Sequence, residues 1–159
     1  MCSYLSIILP ALSLLLACQT PPPQPAPTEE KAAILTTLNN ETKAAFLRDY
    51  EAWKTHWVHA DYVTKVYLDY PDSSFSESRG WAPIDDFVRT YIDEHPAPDP
   101  LPEPLTDIDV RLYGDGAWVS YDQLDPVRGR KRETRFLEKE NGQWKIAGMW
   151  TTIYGDEAR

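Results

Sequence analysis

Residues 129–150 read GRKRETRFLEKENGQWKIAGMW, and the way this stretch pairs with itself decides the fold. Asn141-Gly142 suits the centre of a two-residue hairpin turn, where both positions need positive φ. With that turn, Lys139 stands opposite Trp144, Leu137 opposite Ile146, Arg135 opposite Gly148 and Glu133 opposite Trp150. A slip of one residue would exchange the two faces, so the apolar pair Leu137 and Ile146 fixes the register. The same face turns polar away from the turn, where it carries Glu133 and Arg135. A charge that faces a core needs a partner, because burying it alone costs on the order of several kcal/mol. Those two residues, two apart on one strand, could pair with each other or meet a ligand.

The preceding segment behaves in the same way. Ile108, Val110 and Leu112 alternate with Asp109, Arg111 and Tyr113, and Ala117–Gln123 alternates again after Gly114-Asp115-Gly116. A turn at Asp115-Gly116 sets Leu112 opposite Val119 and Val110 opposite Tyr121. Two long antiparallel hairpins therefore close the chain.

Helical spacing dominates upstream. Thr28-Glu29-Glu30 offers an N-cap with acids in the first turn. Phe46, Tyr50, Trp53 and Trp57 recur at steps of four, three and four, one stripe of a helix ending near His59. Val63–Tyr70 reads as a strand and Pro71–Ser78 as a polar loop. Ile84, Phe87, Val88, Tyr91 and Ile92 mark a second amphipathic helix, with Pro83 in its first turn. Prolines 96, 98, 100, 102 and 104 then force an extended crossing.

The N-terminus has a different character. Leu5–Ala17 is a short uncharged apolar run, too short to span a bilayer as a helix and patterned like a secretory signal peptide. Leu15-Leu16-Ala17-Cys18 resembles a bacterial lipobox, in which the cysteine becomes the lipidated first residue. The division expected is a signal peptide at 1–17, a lipidated Cys18 with a proline-rich tether through residue 28, and one folded domain at 29–159. The tether, PPPQPAP at 21–27, favours an extended polyproline form. Loss of Cys2 with the signal and lipidation of Cys18 would leave the folded part without a thiol, excluding disulfides, thiolate catalysis and cysteine-bound metal. The resemblance implies a cell-envelope protein whose membrane partner is reached through Cys18, and Gln19 after the cysteine resembles outer-membrane sorting.

The chain's net charge of −9 argues against nucleic acid as a partner, which would need a clustered basic surface. Arg130, Lys131 and Arg132, set between Gly129 and Glu133, read as a solvated strand start rather than a phosphate site.

Helices first, a proline-rich crossing, then two hairpins: this order resembles the nuclear transport factor 2-like superfamily, which includes SnoaL-like polyketide cyclases and ketosteroid isomerases. The residues carrying the resemblance are the Phe46–Trp57 stripe, Gly80-Trp81, Gly114-Asp115-Gly116-Ala117-Trp118-Val119 and Asn141-Gly142-Gln143-Trp144-Lys145-Ile146. The resemblance implies an α+β fold, a curved antiparallel sheet wrapped as a cone around N-terminal helices, with a pocket in its open end and frequent dimers. A shared fold does not by itself transfer an activity.

Register and cone together predict a pocket. Arg135 is its anion or carbonyl donor and Glu133 the orienter, with Tyr50, Trp53, Trp57, Trp81, Tyr121 and Trp150 as walls. An internal salt bridge with core aromatics is the alternative. Enolate chemistry would need an inward base, yet Asp109 and Asp122 alternate to the opposite face, which leaves His56, Tyr50 and Glu133 as weak catalytic candidates. His56, His59 and Asp61 lack a further ligand at a motif spacing, so no metal or other cofactor is expected. Tyr113, Trp118, Phe136, Ala147 and Met149 fall on the outer face, where a homodimer could form. The leading expectation is a non-catalytic domain binding a small or partly apolar ligand. The alternatives are an isomerase, cyclase or dehydratase, and a scaffold working through its outer sheet face.

Overall fold

The computed structural model describes residues 27–155. The expected signal peptide, Cys18 and the expected tether up to residue 26 lie outside the described residues. The elements run α1 (Pro27–Phe46), α2 (Tyr50–Lys54), β1 (Thr64–Asp69), β2 (Ser74–Arg79), α3 (Trp81–Glu94), β3 (Asp109–Tyr113), β4 (Gly116–Asp125), β5 (Gly129–Glu140) and β6 (Gln143–Gly155). One six-stranded sheet in the order β2-β1-β6-β5-β4-β3 curves, without closing, around the helices. Every pairing is antiparallel except β1 with β6.

Helix α1 passes straight through Asn39-Asn40, whose first member is tied to the proline crossing. Asn39 Nδ2 donates to the Leu105 carbonyl at 2.9 Å, and its Oδ1 accepts from the Leu105 N–H at 2.8 Å. The Phe46–Trp57 stripe is not one helix: Phe46 ends α1, Tyr50 and Trp53 lie on the short α2, and Trp57 follows in a bridge to β6. Arg48 takes φ +63°, a left-handed stop. Asp49 then caps α2 by accepting from the Ala52 N–H. Beyond α2 the chain pairs with β6: Val58 N–H donates to the Ile146 carbonyl and Ile146 N–H to that of His56. This seats Trp57 on the inner face of the sheet.

The stretch expected as a polar loop contains β2, an exposed edge strand rich in Ser and charge. Such composition blunts an edge that would otherwise template aggregation. Helix α3 starts at Trp81 with Pro83 in its first turn, and residues 96–108 cross without helix or long strand, both as the sequence predicts.

The first hairpin turns at Gly114-Asp115, with Gly114 at φ +62°, not at Asp115-Gly116. Val110 therefore faces Val119 and Leu112 faces Ala117. Because the displacement is two residues, the apolar face is kept.

The second hairpin holds the predicted register only for its first half. Lys139 pairs Trp144 and Leu137 pairs Ile146, but Phe136 then pairs Gly148, so Ala147 is an extra residue in β6. This bulge shifts everything beyond it by one. Arg135 faces Met149 and Glu133 faces Thr151. Met149, expected outside, is buried inside, and Trp150, expected as a pocket wall, lies on the outer face at 39% exposure. Gly148 is required there, since a Cβ on it would stand 2.7 Å from the Trp150 ring.

Candidate functional site: a charged centre inside the cone

Inward residues on neighbouring strands line up in rows set by the register. Lys65, Met149, Arg135 and Val119 form one row, and Tyr67, Thr151, Glu133 and Tyr121 the next. The third contains Asp69, Ile153, Lys131 and Gln123. Above them α1 presents Ile34, Leu38, Glu41 and Ala44, so Glu41 occupies a place on an otherwise apolar stripe.

Glu133 sits at the middle of this surface and is almost fully buried. Its Oε2 accepts from Arg135 Nε at 2.7 Å, from Arg135 Nη2, and from the Tyr121 hydroxyl at 2.9 Å. Lys131 Nζ stands 2.8 Å from Oε1. Burial alone would raise the Glu133 carboxyl, but the charges of Arg135 and Lys131 and their hydrogen bonds more than reverse it and hold it far below the carboxylate range. Burial also keeps the proton on Tyr121, whose hydroxyl is pushed well above its ordinary range.

Glu41 closes the network from the helical side. Its Oε1 accepts from Trp53 Nε1 at 2.8 Å and from Trp57 Nε1 at 3.1 Å, while Oε2 lies 3.5 Å from Arg135 Nη1. That last contact is an ion pair without a hydrogen bond, so Nη1 has no hydrogen-bond partner. The Thr151 hydroxyl, in the same row as Glu133, has none either. Most buried polar groups find a partner, so two open ones beside one charged centre call for an explanation.

The aromatic wall forms largely as predicted. Trp53 lies 5.6 Å from Trp57, 5.8 Å from Trp81 and 6.1 Å from Tyr50, ring centre to ring centre. Trp53, Trp57, Tyr121, Glu133 and Arg135 thus meet in one interior, with Tyr50 and Trp81 partly exposed beside it. Trp150 is excluded by the bulge. Of the catalytic candidates, Tyr50 lies off the charged centre. Its hydroxyl donates to Asp85 and accepts from Arg89 Nη2 at 2.7 Å, and burial together with Asp85 pushes its pKa up. Half-buried His56 is pushed down by burial, and no hydrogen bond ties its ring to Glu133 or Arg135. His59 is exposed, stacked on Trp81 at 3.8 Å with Nε2 donating to the Lys54 carbonyl.

Four members of the centre escaped the sequence reading: Glu41, Lys65, Lys131 and Thr151. Lys131 was legible, since it alternates with Glu133 and Arg135, and it is buried rather than solvated. Glu41 was legible as a charge on an apolar helical stripe. Lys65 follows from alternation in β1, while Thr151 depends on the bulge.

A groove of about 580 Å³ opens between Leu101–Asp109 and Ser120–Leu124, with Tyr121 in its lining. It contains none of the Glu133, Arg135 or Glu41 side chains.

No protein-family model and no curated protein matches the chain. Solved structures do. An NTF2-like superfamily protein from Salmonella enterica superposes with a TM-score of 0.65 at 17% identity, covering 84% of this chain and 96% of its own. A cystatin-like fold protein from Burkholderia xenovorans gives 0.62 at 16%, with 81% and 95% covered. An NTF-2 like protein of unknown function from Shewanella oneidensis gives 0.56 at 18%, with 77% and 98% covered. Identities this low speak for the fold alone: the chain has the NTF2-like fold.

Proposed function

With an NTF2-like cone as the starting point, we propose that this domain binds a small, partly apolar molecule without transforming it, on a chain held at the cell envelope through a lipidated Cys18. The observation that carries the binding reading is the pair of open polar atoms, Arg135 Nη1 and Thr151 Oγ1, beside an aromatic wall. A polar group presented there by a ligand gains a hydrogen bond that no side chain supplies.

The non-catalytic part of the reading rests on Glu133. A general base must accept a proton near neutral pH, and this carboxylate is held far below that range with both oxygens occupied. The envelope part rests on the Leu15–Cys18 pattern.

Tryptophan fluorescence tests the binding reading, because Trp53 and Trp57 donate to Glu41, which lies 3.5 Å from Arg135 Nη1. A quench that saturates with a partly apolar ligand and weakens in Thr151→Val supports it. A quench unaffected by Thr151→Val places the ligand elsewhere and removes the reading.

One observation favours a second activity, self-association. Trp118 stacks on Phe136 at 6.3 Å and Phe136 meets Trp150 edge-on at 5.2 Å, giving an outer aromatic ladder exposed to solvent. A homodimer through this face predicts a mass by sedimentation that falls to the monomer in Trp118→Glu.

A further inference from the structure

We infer that the ligand of the cone carries a carboxylate, and that Lys65 is the side chain that recognises it. This rests on the binding reading above and narrows its ligand to one chemical class. Lys65 projects inward from β1 and is only 7% exposed. Among the described residues, no carboxylate lies within 4.0 Å of its ammonium, whose one polar contact is the Met149 thioether at 3.7 Å. The rest of its surroundings are aromatic, with the ring centres of Trp57 and Tyr67 at 5.3 Å and Trp53 at 5.5 Å.

The other interior cations are differently placed. Arg135 and Lys131 share Glu133, Lys131 also lies 3.7 Å from Asp125, and Glu41 spends one oxygen on two indole N–H groups. With Asp69 paired to Arg128, every interior carboxylate among the described residues is therefore committed away from Lys65. Ring faces attract an ammonium and a thioether accepts weakly, but neither supplies the counter-charge that a buried cation needs.

Position completes the argument. Lys65 and Arg135 are the two cross-strand partners of Met149, one on each side, and Thr151 is the next inward residue on the same strand. Three donors without a hydrogen bond to a protein oxygen, Lys65 Nζ, Arg135 Nη1 (3.5 Å from Glu41 Oε2) and Thr151 Oγ1, thus fall next to one unbranched, adaptable side chain in the register. A carboxylate offers two oxygens with about four lone-pair directions, enough for all three. An apolar or aromatic body would then lie along Trp53, Trp57 and Tyr67. An amine would meet Lys65 and Arg135 as like charges.

The test uses three probes of one shape: 3-phenylpropionate, 3-phenylpropionamide and 3-phenylpropylamine, titrated into the domain at pH 7 while tryptophan fluorescence is followed. The acid is expected to bind about ten-fold or more tighter than the amide, and the amine more weakly than either. Lys65→Met should bind acid and amide alike, and Lys65→Arg should keep the preference, which preserves the comparison if the methionine variant folds poorly. Equal binding of acid and amide by the unaltered domain overturns the carboxylate assignment and leaves the binding reading standing. Failure of the acid to bind overturns the assignment too, and the binding reading is then judged by the ligand carried on native purification.

Discussion

Arg135 and Glu133, two residues apart on β5, meet through a single oxygen: Glu133 Oε2 takes both Nε and Nη2 of the guanidinium. The arrangement leaves Nη1 pointing at Glu41 across 3.5 Å. The two charges therefore satisfy one another and still leave one donor without a hydrogen bond.

Removing one partner of this pair should be costly. Glu133→Gln leaves two buried cations, Lys131 and Arg135, with only their longer contacts to Asp125 and Glu41, and is expected to lower unfolding stability by about 3–5 kcal/mol. The double variant Glu133→Leu with Arg135→Met should recover part of that, because Arg135 is no longer left unpaired, while Lys131 keeps Asp125 at 3.7 Å and Glu41 keeps its two indole donors. Urea unfolding monitored by tryptophan fluorescence measures both.

Acid should act through the same carboxyl. Its folded pKa lies below the unfolded value of 4.5, so its stabilising contribution is complete above that value and is lost as pH falls below it. Glu30, lowered by hydrogen bonds from Lys139 and Trp144, adds in the same direction. Urea midpoints taken from pH 7 to pH 3 should fall for the unaltered domain and fall less for the Leu/Met double variant. Parallel curves for the two would show that Glu133 does not carry the effect.

The bulge can be tested independently. Gly148→Ala places a methyl against the Trp150 ring, an overpacking expected to cost about 1–3 kcal/mol. Gly148→Ala combined with Trp150→Ala should recover most of it. A cost that persists in the double variant would locate the strain elsewhere.

The anchor is tested by fractionation. With Cys18→Ser the chain should leave the membrane fraction, since no other lipid attachment is proposed, and retention there would contradict a lipidated Cys18.

The sequence carried the fold further than the site. Turn residues, proline spacing and alternation placed α3, β1, the crossing and both hairpins, because these signals are local. What failed was non-local or irregular. The break at Arg48 interrupts an aromatic stripe whose spacing alone gives no reason to stop. The bulge at Ala147 adds one residue and exchanges Met149 with Trp150, although Gly148 and the bulky Trp150 close behind it were the visible trace of it. Pairing of Glu133 with Arg135 was legible from their spacing on one strand. The part played by Glu41 needed the third dimension, since it lies 92 residues from Glu133 in sequence and meets it only through Arg135.

The most direct measurement is native mass spectrometry of the domain purified without denaturation, compared with its Thr151→Val variant. Binding of a small, partly apolar molecule in the cone predicts a discrete added mass on the unaltered domain, released on unfolding and reduced in the variant. A domain that carries no added mass, or one that carries the same mass in both proteins, would contradict it.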